Sequence, residues 1–365
     1  MSQSRIYFSP PFTDSNDLVG VKQALESGWI APVGPQLKAF ENHLQSDFGF
    51  SNVLAVTSGT SALHLSLRLA GVEQGDKVLV GSFTFIAVAN AILYQKAIPV
   101  FIDSDEDNWN LSPQLLKDYL TKHEKPKAVI ATHIFGIPAL IEEIRSICEE
   151  FEVILIEDAA EAMGSKYAGQ SVGSFGDYGV LSFNGNKIVT TSGGGALICK
   201  QDNCYQRALF LATQAKDDAD HFSHSEIGYN YRMSNLLAGL GLGQLSKFEW
   251  ILQRKFELHQ AYRDRLENTG ISFYNETEEQ FFNHWITPVL LDGIHPSEAL
   301  RKFEEENIEA RRFWKPLHLQ PLCSAHERID NGVSERLFDT GICLPGGVGM
   351  TDEEIDRVCS VILSL

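Results

Sequence analysis

Val153-Ile154-Leu155-Ile156-Glu157-Asp158-Ala159-Ala160-Glu161 sets the reading of the whole chain. Four apolar residues run straight into two carboxylates, the pattern of a fully buried strand that ends in acid. Similar short runs precede it at Val53 to Val56, Lys77 to Val80, Pro99 to Ile102 and Ala128 to Thr132. Helices separate them, including Ser61 to Ala70 and the apolar Phe85 to Tyr94. Val33, Leu37, Phe40, Leu44 and Phe48 fall at three- and four-residue steps and read as one helix face, and Ser112-Pro113 reads as a helix start. Near-continuous apolar strands joined by helices indicate a parallel sheet covered on both faces.

Two more strands follow, Tyr178 to Phe183 and Ala196 to Cys199, which makes seven. The reading is therefore α/β, with a mostly parallel seven-stranded sheet in a large domain (1–245) that carries an N-terminal arm. Leu236 to Leu266 reads as one long helical stretch leading out of it. A smaller C-terminal α/β domain (246–365) is expected beyond, where Pro288, Pro296, Pro316, Pro321 and Pro345 interrupt irregular elements.

Bulk properties narrow the function. With 365 residues and 44% hydrophobic side chains the chain can bury a large core, and a net charge of −18 disfavours nucleic acid as a partner. No apolar run reaches the roughly 18 residues of a membrane span, and no secretory signal opens the chain. Six scattered cysteines form no CxxC pair, so neither a disulfide frame nor a zinc site is indicated. The expectation is a soluble cytoplasmic protein without membrane or nucleic-acid partners.

Between the last two strands lies Leu181-Ser182-Phe183-Asn184-Gly185-Asn186-Lys187, followed by Gly193-Gly194-Gly195. A lone loop lysine is ordinarily a solvated charge. Here Asn and Gly let the backbone turn closely around a ligand. In an open α/β sheet ligands sit beyond the carboxyl ends of the strands, where Asp158 is placed. An amine and a carboxylate so placed indicate pyridoxal phosphate: the lysine holds the aldehyde as a Schiff base and the acid keeps the pyridine nitrogen protonated. The ordinary role of Asp158 would be a helix cap. Ser58-Gly59-Thr60 opens a helix whose N–H groups suit a phosphate, though the same residues make plain caps. Ser182 would add a hydroxyl, and Phe85 would stack on the ring unless it is simply core.

The chain resembles the DegT/DnrJ/EryC1/StrS nucleotide-sugar aminotransferases over nearly its whole length. The resemblance rests on Ser58 to Leu63, Ser82-Phe83-Thr84-Phe85, Glu157 to Glu161, Gly176-Asp177, Ser182 to Lys187, the glycine triplet and Gly228-Tyr229-Asn230-Tyr231-Arg232-Met233. It implies the fold-type I pyridoxal phosphate fold, with Lys187 bonded to the cofactor and Asp158 paired with its nitrogen. Gly59, Thr60 and Ser182 would hold the phosphate, and Phe85 would cover the ring. Glu161 would stand near the ring hydroxyl, where many members carry Gln or His. Asn230 would reach the phosphate in the neighbouring subunit, which implies a homodimer with shared active sites.

Arg5-Ile6-Tyr7, Gly28 to Pro32, Glu309 to Arg311 and Trp314 to His318 resemble a narrower branch, which makes bacillosamine-type 4-amino sugars from a UDP-linked 4-keto-6-deoxy-N-acetylglucosamine, usually with glutamate as donor. That implies substrate contacts by Trp29, Ile30, Ala31, Arg311, Trp314, Lys315 and His318. Trp29 and Trp314 could equally be core anchors and Arg311 a surface ion pair, and Arg312 stands where an uncharged residue is expected. His133 reads as structural, and His221 and His224 as part of an exposed acidic loop rather than metal ligands. Two rivals stand: a 3-dehydratase, whose relatives carry histidine in place of Lys187, and a non-catalytic sensor on the same fold. GDP- or dTDP-linked 3- or 4-keto sugars remain open as substrates.

Overall fold

The computed structural model describes residues 4–267 and 269–365. Its main sheet contains β1 (Asn52–Val56), β2 (Lys77–Gly81), β3 (Ile98–Ile102), β4 (Ala128–Thr132), β5 (Ile154–Asp158), β6 (Tyr178–Ser182) and β7 (Gly195–Cys199). The C-terminal third adds β8 (Ile271–Phe273), β9 (Thr287–Leu291), β10 (Arg311–Arg312), β11 (Arg328–Ile329) and β12 (Gly341–Leu344). The main sheet runs β1-β7-β6-β5-β4-β2-β3-β11, with only β7 antiparallel to its neighbours.

This sheet has eight strands rather than the expected seven. Arg328–Ile329 pairs parallel to Phe101 and Ile102 at the β3 edge. Two residues give no periodicity to read, so the eighth strand is invisible in the sequence.

Alternate residues of each strand face different cores. Val53, Ala55, Leu79 and Leu155 join one cluster, whereas Leu54, Val56, Val80 and Ile156 join another. Two-sided burial is why these strands read as unbroken apolar runs. A second sheet, β8-β9-β12-β10, is wholly antiparallel and has its own core around Leu258, Tyr262, Phe303 and Ile355. A short Gln280–Phe281 strand returns to pair with Lys166–Tyr167.

The expected long helix is two, Asn235–Leu245 and Phe248–Leu266. The break falls at Ser246-Lys247, where the buried Lys247 ammonium meets Asp17 at 2.6 Å and Asp14 at 3.0 Å. Such a pair leaves the amine desolvated but matched. Among the described residues, no helix is long and apolar enough to cross a membrane.

Strand register gathers the site. Val56 lies opposite Gly195 and Gly195 opposite Ser182, while Thr132 lies opposite Asp158. The carboxyl ends of β1, β4, β5 and β6 therefore open together. The helix Gly59–Leu69 starts at the same edge, with Ser58 accepting the Ser61 N–H at 3.0 Å as its cap.

Candidate active site

A cavity of about 440 Å³ occupies this edge. Ser58, Gly59, Thr60, Phe85, Asp158, Glu161, Ser182 and Lys187 all line it, together with Thr132, Asn186, Trp285 and Trp314. Eight residues drawn from four separate stretches of sequence thus meet around one space.

Asp158 sits at the floor, 5% exposed. Among the described residues its carboxylate receives one hydrogen bond, from the Ala160 N–H at 3.1 Å. Burial pushes its carboxyl up to about 6, and the nearby Glu161 adds to the rise, against the pull of that N–H and of Lys187. A buried acid with one donor is suited to a cationic nitrogen. Lys187 is largely buried, with Nζ 3.3 Å from Glu161 Oε1 and 4.0 Å from the centroid of the Trp285 ring.

The pocket fits pyridoxal phosphate on three counts. A Cβ on Gly195 would come within 2.5 Å of Gly59 N, so the backbone at the helix start is packed as closely as glycine permits. Among the described residues, Thr132 Oγ1 and Trp314 Nε1 are buried without a hydrogen-bond partner, and both residues line the cavity. Unpaired buried polar atoms of this kind call for a ligand. The donor set completes the match: an amine, an acid, and a helix N-terminus flanked by hydroxyls.

A second cavity of about 330 Å³ adjoins the first and shares Asn186, Trp285 and Trp314 with it. Its far wall is the N-terminal arm, where Glu309 accepts the Phe8 N–H at 2.9 Å and Ser9 Oγ donates to the Asn186 carbonyl at 3.1 Å. Arg311 and Arg312 line it too. Arg311 is paired with Glu309, while Arg312 turns toward the Phe338 ring and Asp339.

Several expected substrate contacts lie elsewhere. His318 lines neither cavity: its Nδ1 bonds Ser82 Oγ at 2.6 Å and its Nε2 bonds Glu335 at 3.0 Å, so both ring nitrogens are spent on packing. Lys315, although next to Trp314, also lines neither. Trp29, Ile30 and Ala31 form an exposed turn clamped by Asn235, whose amide donates to the Trp29 carbonyl at 2.6 Å. Asn230 is likewise exposed and outside the cavity of its own chain. His133 is fully buried between Glu157 and the Ala139 N–H. His221 and His224 bond Asp220 and the Gln214 carbonyl in an exposed loop.

The sequence profile of the DegT/DnrJ/EryC1/StrS aminotransferase family matches residues 11–363. The chain belongs to this family. It is 46% identical to EpsN of Bacillus subtilis (strain 168), whose name provisionally assigns it to the pyridoxal phosphate-dependent aminotransferases, over 99% of the chain and 96% of that protein. GDP-perosamine synthase of Vibrio cholerae is 32% identical over 96% of each. The PLP-form of Spr1654 from Streptococcus pneumoniae, provisionally named a sugar aminotransferase, superposes with a TM-score of 0.93 at 25% identity. That superposition covers 99% of this chain and 98% of the other.

This nucleotide-sugar aminotransferase is a fold-type I enzyme that uses pyridoxal phosphate. Its site contains residues that sequence motifs do not expose. Trp285 arrives from a segment 98 residues beyond Lys187 and lines both cavities. Asn283-His284-Trp285 has no periodic or glycine signal, so only the fold reveals it.

Proposed function

We propose that this enzyme transfers the amino group of glutamate to the C4 ketone of a nucleotide-linked 4-keto-6-deoxy sugar, UDP-2-acetamido-2,6-dideoxy-hexos-4-ulose, for polysaccharide or glycan synthesis. The observation that carries the reading is the convergence of Lys187, Asp158 and the Ser58–Thr60 helix start on one cavity. When bound, pyridoxal phosphate supplies the aldehyde that carries nitrogen and the ring that spreads developing negative charge.

In this reading Lys187 takes the proton from the donor's α-carbon and returns a proton to the acceptor's C4. Asp158 holds its charge against the pyridine nitrogen, while the N–H groups of Gly59 and Thr60 and the Ser182 hydroxyl fix the phosphate. Phe85, 5.2 Å from Trp314 between ring centroids, covers the ring. Arg311 and Trp314 are the substrate contacts nearest the chemistry. Trp29, Ile30, Ala31 and Asn230, exposed on their own chain, serve the second subunit of a homodimer. Residues 1–245 form the cofactor-binding domain and 246–365 the small domain, with β11 crossing back to the large sheet.

A second reading, a GDP- or dTDP-linked keto sugar, draws on the 32% identity to GDP-perosamine synthase. A panel of UDP-, GDP- and dTDP-linked 3- and 4-keto sugars with glutamate, read by mass and NMR, separates the two. Amination of only a 3-keto sugar overturns the regiochemistry. Lys187→Ala is expected to abolish turnover and the visible absorbance of the lysine-bound cofactor; full activity in that variant overturns the role of the lysine.

A further inference from the structure

Trp285 touches Lys187 at both ends. Its indole N–H donates to the carbonyl of Asn186, the residue before the lysine, at 2.6 Å. The face of the same ring meets Lys187 Nζ, 4.0 Å from the centroid. Glu161 Oε1 is the amine's other partner.

The ring cannot swing away. Trp285 is 2% exposed, its backbone N–H donates to Asn283 Oδ1 at 3.0 Å, and its backbone carbonyl accepts from the buried Lys255 Nζ at 2.7 Å. Asn283 in turn donates to the Glu161 and Met163 carbonyls at 2.9 and 3.0 Å. The indole, the acid and the lysine loop therefore form one hydrogen-bonded unit. A tryptophan that merely fills the core needs a bond for its N–H, but it has no reason to place its face on an amine.

We propose that Trp285 is a positioning residue for the Lys187 amine. The indole face cradles the ammonium beside Glu161, and the indole edge fixes the loop from which the side chain pivots. The inference rests on Lys187 as the proton carrier. A ring quadrupole attracts the protonated amine and not the neutral one, so the cradle holds the amine while it carries a proton and frees it afterward. A lysine has a long, flexible stem, and confining its end raises the frequency of productive approach.

The test compares native enzyme with Trp285→Phe, which keeps a ring face, and Trp285→Leu, which keeps apolar bulk without one. In the cofactor-free native protein the Lys187 CεH₂ resonance, assigned by its loss in Lys187→Ala, is expected upfield from the ring current. It should stay partly shifted in Trp285→Phe and return to the ordinary position in Trp285→Leu. With L-glutamate, the single-turnover donor half-reaction should slow at least about tenfold in Trp285→Leu at unchanged half-saturation, and Trp285→Phe should recover most of the rate.

An unshifted resonance in the native protein overturns the cradle, and that measurement needs neither a variant nor a substrate. A native half-reaction rate in Trp285→Leu overturns it as well. Retained turnover in Lys187→Ala overturns the proton-carrier reading instead, so the two failures are distinguishable.

Discussion

Glu161 faces the Lys187 amine with one oxygen, at 3.3 Å, and accepts the Phe135 backbone N–H with the other, at 2.8 Å. Phe135 adopts φ 57°, a left-handed conformation uncommon outside glycine. One carboxylate thus binds the Lys187 side chain to a fixed point of the scaffold. Glu161→Gln keeps an acceptor for Phe135 but removes the charge facing the amine. It should fold normally and lose roughly 10- to 100-fold in kcat. Glu161→Ala also leaves a buried N–H unpaired, which costs about 1–3 kcal/mol. Steady-state kinetics with urea midpoints separate these effects, and native kcat in the Gln variant would sink the first.

Asp158 gives the cofactor-free protein a characteristic pH response. Burial holds its carboxyl at about 6, against 3.8 for an exposed one. Between those values the folded chain binds more protons than the unfolded chain, so stability falls as pH rises through the window. The full loss is of the order of 3 kcal/mol, reached above about pH 6. His259 and His284, pushed down by burial to about 4 and about 2, act in the opposite sense as pH rises toward 6.5. The readout is therefore the difference from Asp158→Asn, in which the histidine contribution cancels. That variant should gain on the native apoprotein as pH rises from about 4 to about 6, and pyridoxal phosphate, by placing a cation there, should shrink the gap. A pH-independent difference would refute the assignment.

The two-sided sheet was legible because burial on both faces leaves unbroken apolar runs such as Ile154-Leu155-Ile156, and the carboxyl-end rule then located Asp158. Lys187 and the Ser58–Thr60 turn were legible from glycine and cap chemistry. Other parts depend on contacts between distant segments. β11 is two residues long, the helix break at Lys247 depends on Asp17 far upstream, and Trp285 has no motif of its own. His318 shows the reverse case. It lies in a stretch similar to substrate-binding segments, yet Ser82 and Glu335 occupy both of its nitrogens.

The glycine triplet looks uniform in sequence, but its members differ in their surroundings. A Cβ at Gly193 meets nothing within 4 Å, whereas at Gly194 it meets the Thr191 hydroxyl and the Met233 terminal methyl. At Gly195 it strikes the backbone of Ser58 and Gly59 at 2.5 Å. Gly193→Ala should be tolerated. Gly195→Ala must push the helix start away from β7, at a cost of about 1–3 kcal/mol, and should weaken cofactor retention on dialysis. Equal retention by both variants would contradict the role given to the helix start.

Arg232 connects the Gly228–Met233 segment to β1 through a buried pair with Glu41, a partner that no motif singles out. Glu41 also accepts the Ala55 N–H at 2.8 Å, and Arg232 donates to the Ala55 carbonyl at 3.0 Å. Removing one charge strands the other, so Glu41→Leu and Arg232→Met should each cost roughly 3–5 kcal/mol. Replacing both removes the stranded charge, so the double variant should be more stable than either single one. It would still leave the Ala55 groups unpaired, which keeps it below the native chain. Urea midpoints of the four proteins test this ordering. A double variant whose loss equals the sum of the singles would show that the two side chains act independently, and that their geometry contributes no coupling to the motif carrying Asn230.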